Sequence, residues 1–164
     1  MDQGLLLARL VLGLLMAAHG AQKLFGWFGG PGLAGLSGYL ESIGFRPGKP
    51  FALAASLGEV VSGLLLALGF LGPIGPAIML SVMIVAAISV HWRNGVFAMQ
   101  NGIELPLLYA GGAVALALTG PGRFSVDALL GITTTTSIAW IALALATIGG
   151  FANLALRRQQ TVTA

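Results

Sequence analysis

The sequence has no cysteine. That excludes disulfides, thiol catalysis, thiolate metal sites and iron–sulfur clusters, and leaves the redox compartment unread. Charge is almost as scarce. Eight Lys and Arg with five Asp and Glu make up 8% of the 164 residues, against about 25% in an ordinary soluble domain. So few charges cannot coat a globule of this size in water, which argues against a soluble monomer. The basic residues are scattered rather than clustered, so they read as topology marks and not as a nucleic-acid surface. What fills the chain instead is apolar: 57% of residues are hydrophobic, and 25 are glycine. Glycine suits close helix packing in lipid, where small residues let backbones approach. The fold class expected is an all-α, polytopic membrane helix bundle.

A helix crossing the bilayer needs about 20 mostly apolar residues. Five segments approach this: Leu5 to Phe25, Phe51 to Leu71, Ile74 to Val90, Leu105 to Leu118 and Ser137 to Leu156. The fourth is short, so it starts a turn earlier or sits in a thinned bilayer. The first lacks a basic n-region and carries Arg9 inside its apolar run, so it is read as a retained span and not a signal peptide. Between spans one and two, Leu33, Leu36, Tyr39, Leu40 and Ile43 recur at helical spacing. They predict a short amphipathic helix in the interface, with Gly44 as its C-cap and Pro47 and Pro50 stopping it. Trp27 and Phe28 fit an aromatic belt before it. A second short helix is expected at Ser125, capped by its hydroxyl, with Asp127 in the first turn. No repeat or linker divides the chain. The expectation is a single membrane domain over 1–164, a four-helix core in 5–131 with a fifth span and basic tail in 132–164.

Five spans put Lys23, Arg46, Lys49, Arg93, Arg157 and Arg158 on one side of the membrane and Arg9 and Arg123 on the other. The positive-inside rule then places the N-terminus out and the C-terminus in, provided the last segment spans.

Ionisable residues at membrane depth are costly, so each is a functional candidate by default. Arg9, Lys23 and His19 share a face of the first span with Gly13 and Gly20. At a rise of about 1.5 Å per residue, His19 and Glu59 sit at matching depth, roughly 10–12 Å from the same membrane surface. Lys23, His91, Glu104 and Tyr109 belong to that side too. The expected cluster is therefore His19, Lys23, Glu59, His91, Glu104 and Tyr109. On the opposite side Arg9 is level with Arg123 and Asp127, and an Arg9–Asp127 pair would tie span one to the loop after span four. Each has a plainer reading. Arg9 can snorkel or serve structure alone, Lys23 can anchor at the interface, and His19 can satisfy an interhelical hydrogen bond. His91, beside Trp92 and Arg93, reads first as an interfacial residue. Glu59 has no local partner, so it must be neutral or held by a cation from another helix.

The same residues carry a family resemblance. Arg9-Leu10 through His19-Gly20-Ala21-Gln22-Lys23-Leu24-Phe25 resembles the opening motif of the DoxX family of small bacterial membrane proteins. Phe28-Gly29-Gly30-Pro31-Gly32-Leu33 and Glu41-Ser42-Ile43-Gly44-Phe45 are similar to its first loop. Glu59 in Gly58-Glu59-Val60-Val61-Ser62-Gly63 matches its second-span acid. Asn101-Gly102-Ile103-Glu104-Leu105-Pro106 and the run from Gly120 to Asp127 match later motifs. The resemblance covers about residues 5 to 131 and implies a four-helix bundle in the bacterial plasma membrane; the fifth span departs from that minimal pattern. It also implies a link to quinol oxidase or thiosulfate:quinone oxidoreductase complexes.

Four functions compete. In a quinone- or redox-associated subunit, His19, Lys23, Glu59, Glu104 and Tyr109 would serve the quinone head and its protons. The sequence carries no haem, flavin or iron–sulfur signal, so the electrons would come from partner subunits. In a structural or assembly subunit the charges pair with one another. In a small transporter they line a path, although no inverted repeat is present. A metal site from His19, Glu59, His91 and Glu104 lacks a close ligand pair within one span, and none is expected. The lipid bilayer is the one partner composition names directly; homo-oligomers stay open, and nucleic acid is not expected.

Overall fold

The computed structural model describes residues 1–158. Residues 159–164, the end of the basic tail, lie outside the described residues. The chain is helical: α1 (Asp2–Phe25), α2 (Gly32–Ser42), α3 (Gly48–Leu68), α4 (Ile74–Ala86), α5 (Glu104–Thr119), α6 (Val126–Leu130) and α7 (Thr136–Ala155). A π-helical turn over Ala87–His91 and a 3-10 turn over Trp92–Asn94 carry α4 onward. Four helical stretches are long and apolar enough to cross a membrane: Asp2–Phe25, Gly48–Leu68, Ile74–Asn94 and Thr136–Ala155. The fourth segment in chain order is the short one, an apolar helix of 16 residues. Large apolar side chains such as Leu7, Leu14, Leu64, Leu107 and Ile148 are exposed on the outside of the bundle, which suits contact with lipid rather than water.

Packing follows the small residues. α1 lies along α3 as the most extensive helix pair. A β-carbon on Gly13 would stand 2.6 Å from the Gly63 carbonyl, and one on Gly20 would stand 2.7 Å from the Ser56 carbonyl. Those distances are closer than side chains allow, so the glycines set the backbone separation. In lipid, where apolar surface gains nothing by leaving the solvent, such contact is what holds helices together. α4 is central and packs on α3, α5 and α7. One face of it meets the core of Met16, Leu66, Met79, Met83, Tyr109, Leu116 and Leu143. α3 and α7 both pack on α4 and stay largely apart from each other.

The first loop folds as α2, which lies on α3 and buries Leu40 with Phe45 and Ala52. The prolines after it act differently from the expectation. Pro47 is the N-cap of α3, and Pro50 sits in that helix's first turn. A proline there removes an N–H that has no helical partner anyway, so it starts a helix rather than stopping the one before. Gly44 lies one residue beyond the Ile43 cap and takes φ +102°.

α6 begins where expected: the Ser125 hydroxyl accepts the Ala128 N–H at 3.1 Å. At the other end of the bundle, the Arg157 Nε donates to the Ile43 carbonyl at 2.6 Å and the Arg158 N–H to the Gly44 carbonyl at 2.9 Å. The end of α7 therefore returns to the side of the first loop.

Candidate functional site

At the N-terminal end of the bundle two buried charges face one turn. Arg9 and Asp127 are each 1% exposed. They form no direct ion pair, contrary to the simplest sequence expectation. The Asp127 carboxylate instead accepts the Leu71 N–H at 2.9 Å and the Gly72 N–H at 2.6 Å. The Arg9 Nη2 donates to the Phe124 carbonyl, while its Nε and Nη1 have no partner among the described residues. Gly69, at φ +63°, leaves the space the guanidinium fills, since a β-carbon there would collide with it. Two backbone N–H groups satisfy a carboxylate as well as a cation does, and the Leu71 backbone at φ +62° turns them toward it. Arg123 is exposed, and only its backbone joins the cluster, donating to Asp2 Oδ1 at 3.2 Å. Arg9 and Asp127 thus lock α1, the α3–α4 turn and the loop before α6 together, with Arg123 outside.

Deeper in the bundle, Lys23 at the end of α1 forms an ion pair with Glu59 in the middle of α3. It is the one ion pair among the described residues. The partners differ in access to solvent: Lys23 is 29% exposed and Glu59 is 1% exposed. The close α1–α3 approach at Gly20 brings the lysine within reach. The second Glu59 oxygen, Oε2, has no hydrogen-bond partner. An acceptor buried without a donor is costly, so its retention calls for an explanation.

Glu59 is among the residues around a cavity of about 670 Å³ between α3, α4 and α7, with α2 beside it, although its unpartnered oxygen is itself covered. The walls are mainly aliphatic and aromatic, among them Leu36, Phe51, Ile78, Val82, Val85 and Leu145. Lys23, Tyr39, Ser89, His91 and Asn153 line it toward the first-loop end, with Glu59 and Ser81 midway along. Tyr39, Ile74 and Leu145 are exposed and stand on its rim. The groove therefore meets the lipid side of the bundle.

The expected six-residue cluster divides. His91 lines the cavity with Lys23 and Glu59, but its Nδ1 is 2.7 Å from the Asn101 carbonyl. Glu104 does not reach the cavity and accepts the Ala98 N–H at 2.7 Å, closing the α4–α5 loop. His19 lies edge-on to Tyr109, ring centres 6.0 Å apart, and its Nδ1 is 3.2 Å from Gln22 Oε1. Neither His19 nor Tyr109 lines the cavity. A depth estimate places residues at one level but not on one wall; Tyr109 stays close enough to feel the Glu59 charge without lining the cavity. Among the described residues, no three of His, Asp and Glu converge as a metal site would need. Sequence reasoning missed Tyr39, Ser81, Ser89 and Asn153. Their helical spacing, Tyr39 along α2, Ser81 and Ser89 along α4 and its continuation, and Asn153 along α7, was available, but nothing marked which face would stay uncovered.

Comparison with known proteins points to a membrane family. A family model described as DoxX matches residues 4–92, which hold α1 to α4. Inner membrane protein YqjF of Escherichia coli (strain K12) is 31% identical over 134 residues, 79% of this chain and 93% of that protein. No solved structure gives a significant match.

Proposed function

The chain belongs to the DoxX family, and on that footing we propose that it is a quinone- or redox-associated subunit of a complex in the bacterial inner membrane. The observation that carries this reading is Glu59, buried, paired on one oxygen to Lys23, unpartnered on the other, and set in the wall of an apolar cavity. Interchange of a quinone and its quinol moves two electrons and two protons in a medium without free water. The carboxylate and the ammonium supply groups that hold and pass protons at the ligand head. Lys23, being partly exposed, connects the buried acid to the surface. The electrons come from a partner subunit, so the chain acts as part of an assembly rather than as a self-contained enzyme. His19 and Tyr109 contribute on the far side of Lys23, as a second polar face between α1 and α5. We place the N-terminus outside and the C-terminus inside, and treat residues 1–164 as a single membrane domain.

A second reading has its own observation. The Arg9–Asp127 cluster and the Lys23–Glu59 pair each join separate helices, as charges in an assembly subunit would. Purification in mild detergent, with mass spectrometry of bound lipids and proteins, separates the two. The redox reading expects bound quinone and a redox partner. A chain that emerges with neither sinks it.

A further inference from the structure

The basic residues are scattered along the sequence, but the fold gathers four of the eight Lys and Arg at one place. Arg46 and Lys49 stand at the turn from α2 into α3, and Arg157 and Arg158 follow the end of α7. Backbone contacts hold the two segments together. The Arg157 Nε donates to the Ile43 carbonyl, 114 residues away in sequence, and the Arg158 N–H donates to the Gly44 carbonyl. A β-carbon on Gly44 would stand 3.2 Å from Arg157 Cγ and 2.3 Å from the Arg158 carbonyl. The one acid at this turn, Glu41, is engaged: its carbonyl takes the Arg46 Nε at 3.3 Å and its carboxylate the Gly48 N–H at 2.8 Å. Among the described residues none of the four cations has an ion-pair partner. Like charges brought to one turn repel, and an anion relieves the repulsion. The surroundings are those of lipid: Phe151 and Leu156 on and after the last turns of α7 are exposed, as is Tyr39 on α2.

We infer that Arg46, Lys49, Arg157 and Arg158 together bind the headgroup of an anionic phospholipid, whose acyl chains lie on Phe151 and Leu156 along the outside of α7. Phosphate oxygens accept from a guanidinium in pairs, and the lysine adds a point charge. A zwitterionic headgroup brings its own ammonium and offsets less of the cluster's charge. The bound lipid bridges α7 to the α2–α3 turn, adding to the two hydrogen bonds already there. None of the four cations lines the groove beside Glu59, so the site does not depend on what that groove holds.

Native mass spectrometry of the full-length protein in a neutral detergent tests this, with phosphatidylglycerol, phosphatidylethanolamine and glycerol phosphate as probes. The expected result is one phosphatidylglycerol per chain, held about tenfold tighter than phosphatidylethanolamine. Lys49→Gln and Arg158→Gln each remove one exposed cation, one from each segment, and each weakens phosphatidylglycerol about fivefold. Arg123→Gln makes the same charge change at the opposite end of the bundle and leaves binding as it was. Gly44→Ala removes no charge but pushes Arg158 off the turn, so it weakens the lipid at least as much. Equal binding of the two lipids overturns the inference, as does indifference to Lys49→Gln and Arg158→Gln. An equal loss with Arg123→Gln overturns it in favour of diffuse surface charge. Losses with the charge variants but none with folded Gly44→Ala overturn the joined site. Glycerol phosphate bound as tightly as the lipid, with the same dependence, replaces the lipid with a soluble phosphate. Should Gly44→Ala not fold, the three charge variants decide the matter.

Discussion

Lys23 and Glu59 form an ion pair in which only one partner can reach water. Lys23 is 29% exposed at the end of α1, and Glu59 is 1% exposed at the middle of α3. The two single substitutions should therefore differ. Lys23→Met leaves a buried carboxylate uncompensated, at a cost of about 3–5 kcal/mol. Glu59→Gln leaves a lysine that can swing to the surface, at a cost of about 1 kcal/mol. Thermal melts in one detergent check this ordering. Equal losses would mean that Lys23 does not carry the charge of Glu59.

Asp127 predicts a second asymmetry. Its carboxylate holds the Leu71 and Gly72 N–H groups. Asp127→Ala orphans both, at about 1–3 kcal/mol each. Asp127→Asn keeps one oxygen as acceptor and should lose about half as much. The melting temperature reads the difference, and identical shifts would point to the Arg9 charge as what matters.

The α1–α3 contact rests on glycines. Gly13→Leu must push into the Gly63 carbonyl and the Ala67 backbone, so it should abolish the monodisperse detergent-solubilised protein. Gly4→Leu, with nothing within 4 Å, should elute unchanged on gel filtration. A well-folded Gly13→Leu variant would refute the close approach.

The α7 strap is open to a direct check. Gly44 holds φ +102°, and a β-carbon there would collide with the Arg158 carbonyl. Gly44→Ala should raise hydrogen exchange at the Arg157 and Arg158 amides while the α3 amides stay protected. No change at these amides would show that the strap is not held there.

The five apolar helices, four of them long enough to cross a membrane, and the first-loop helix were readable because hydropathy and helical period are properties of single segments. The capping of α6 at Ser125 was local as well. Depth put Lys23 on the same side of the membrane as Glu59, with His19 the residue level with the acid, because depth follows from residue number at a fixed rise. Azimuth does not. His19 and Tyr109 pack on each other and do not line the cavity, though Tyr109 still feels the Glu59 charge, and Glu104 was spent on its own loop. Arg9 and Asp127 were correctly placed at one end, but backbone N–H groups satisfied the acid, and sequence carries no mark for those. The groove depended on α3 and α7 staying apart, a relation between distant helices that no segment states by itself.

The central claim is that Glu59 serves a quinone ligand rather than the fold alone. The most direct measurement is the quinone content per chain of wild-type and Glu59→Gln protein, extracted from the same membranes and quantified by mass spectrometry. The account predicts near-stoichiometric quinone on the wild type and about a tenfold loss on Glu59→Gln, with both proteins equally folded and carrying the same partners. Equal quinone content in the two, or loss of partners and fold with the substitution while quinone was never present, would contradict it.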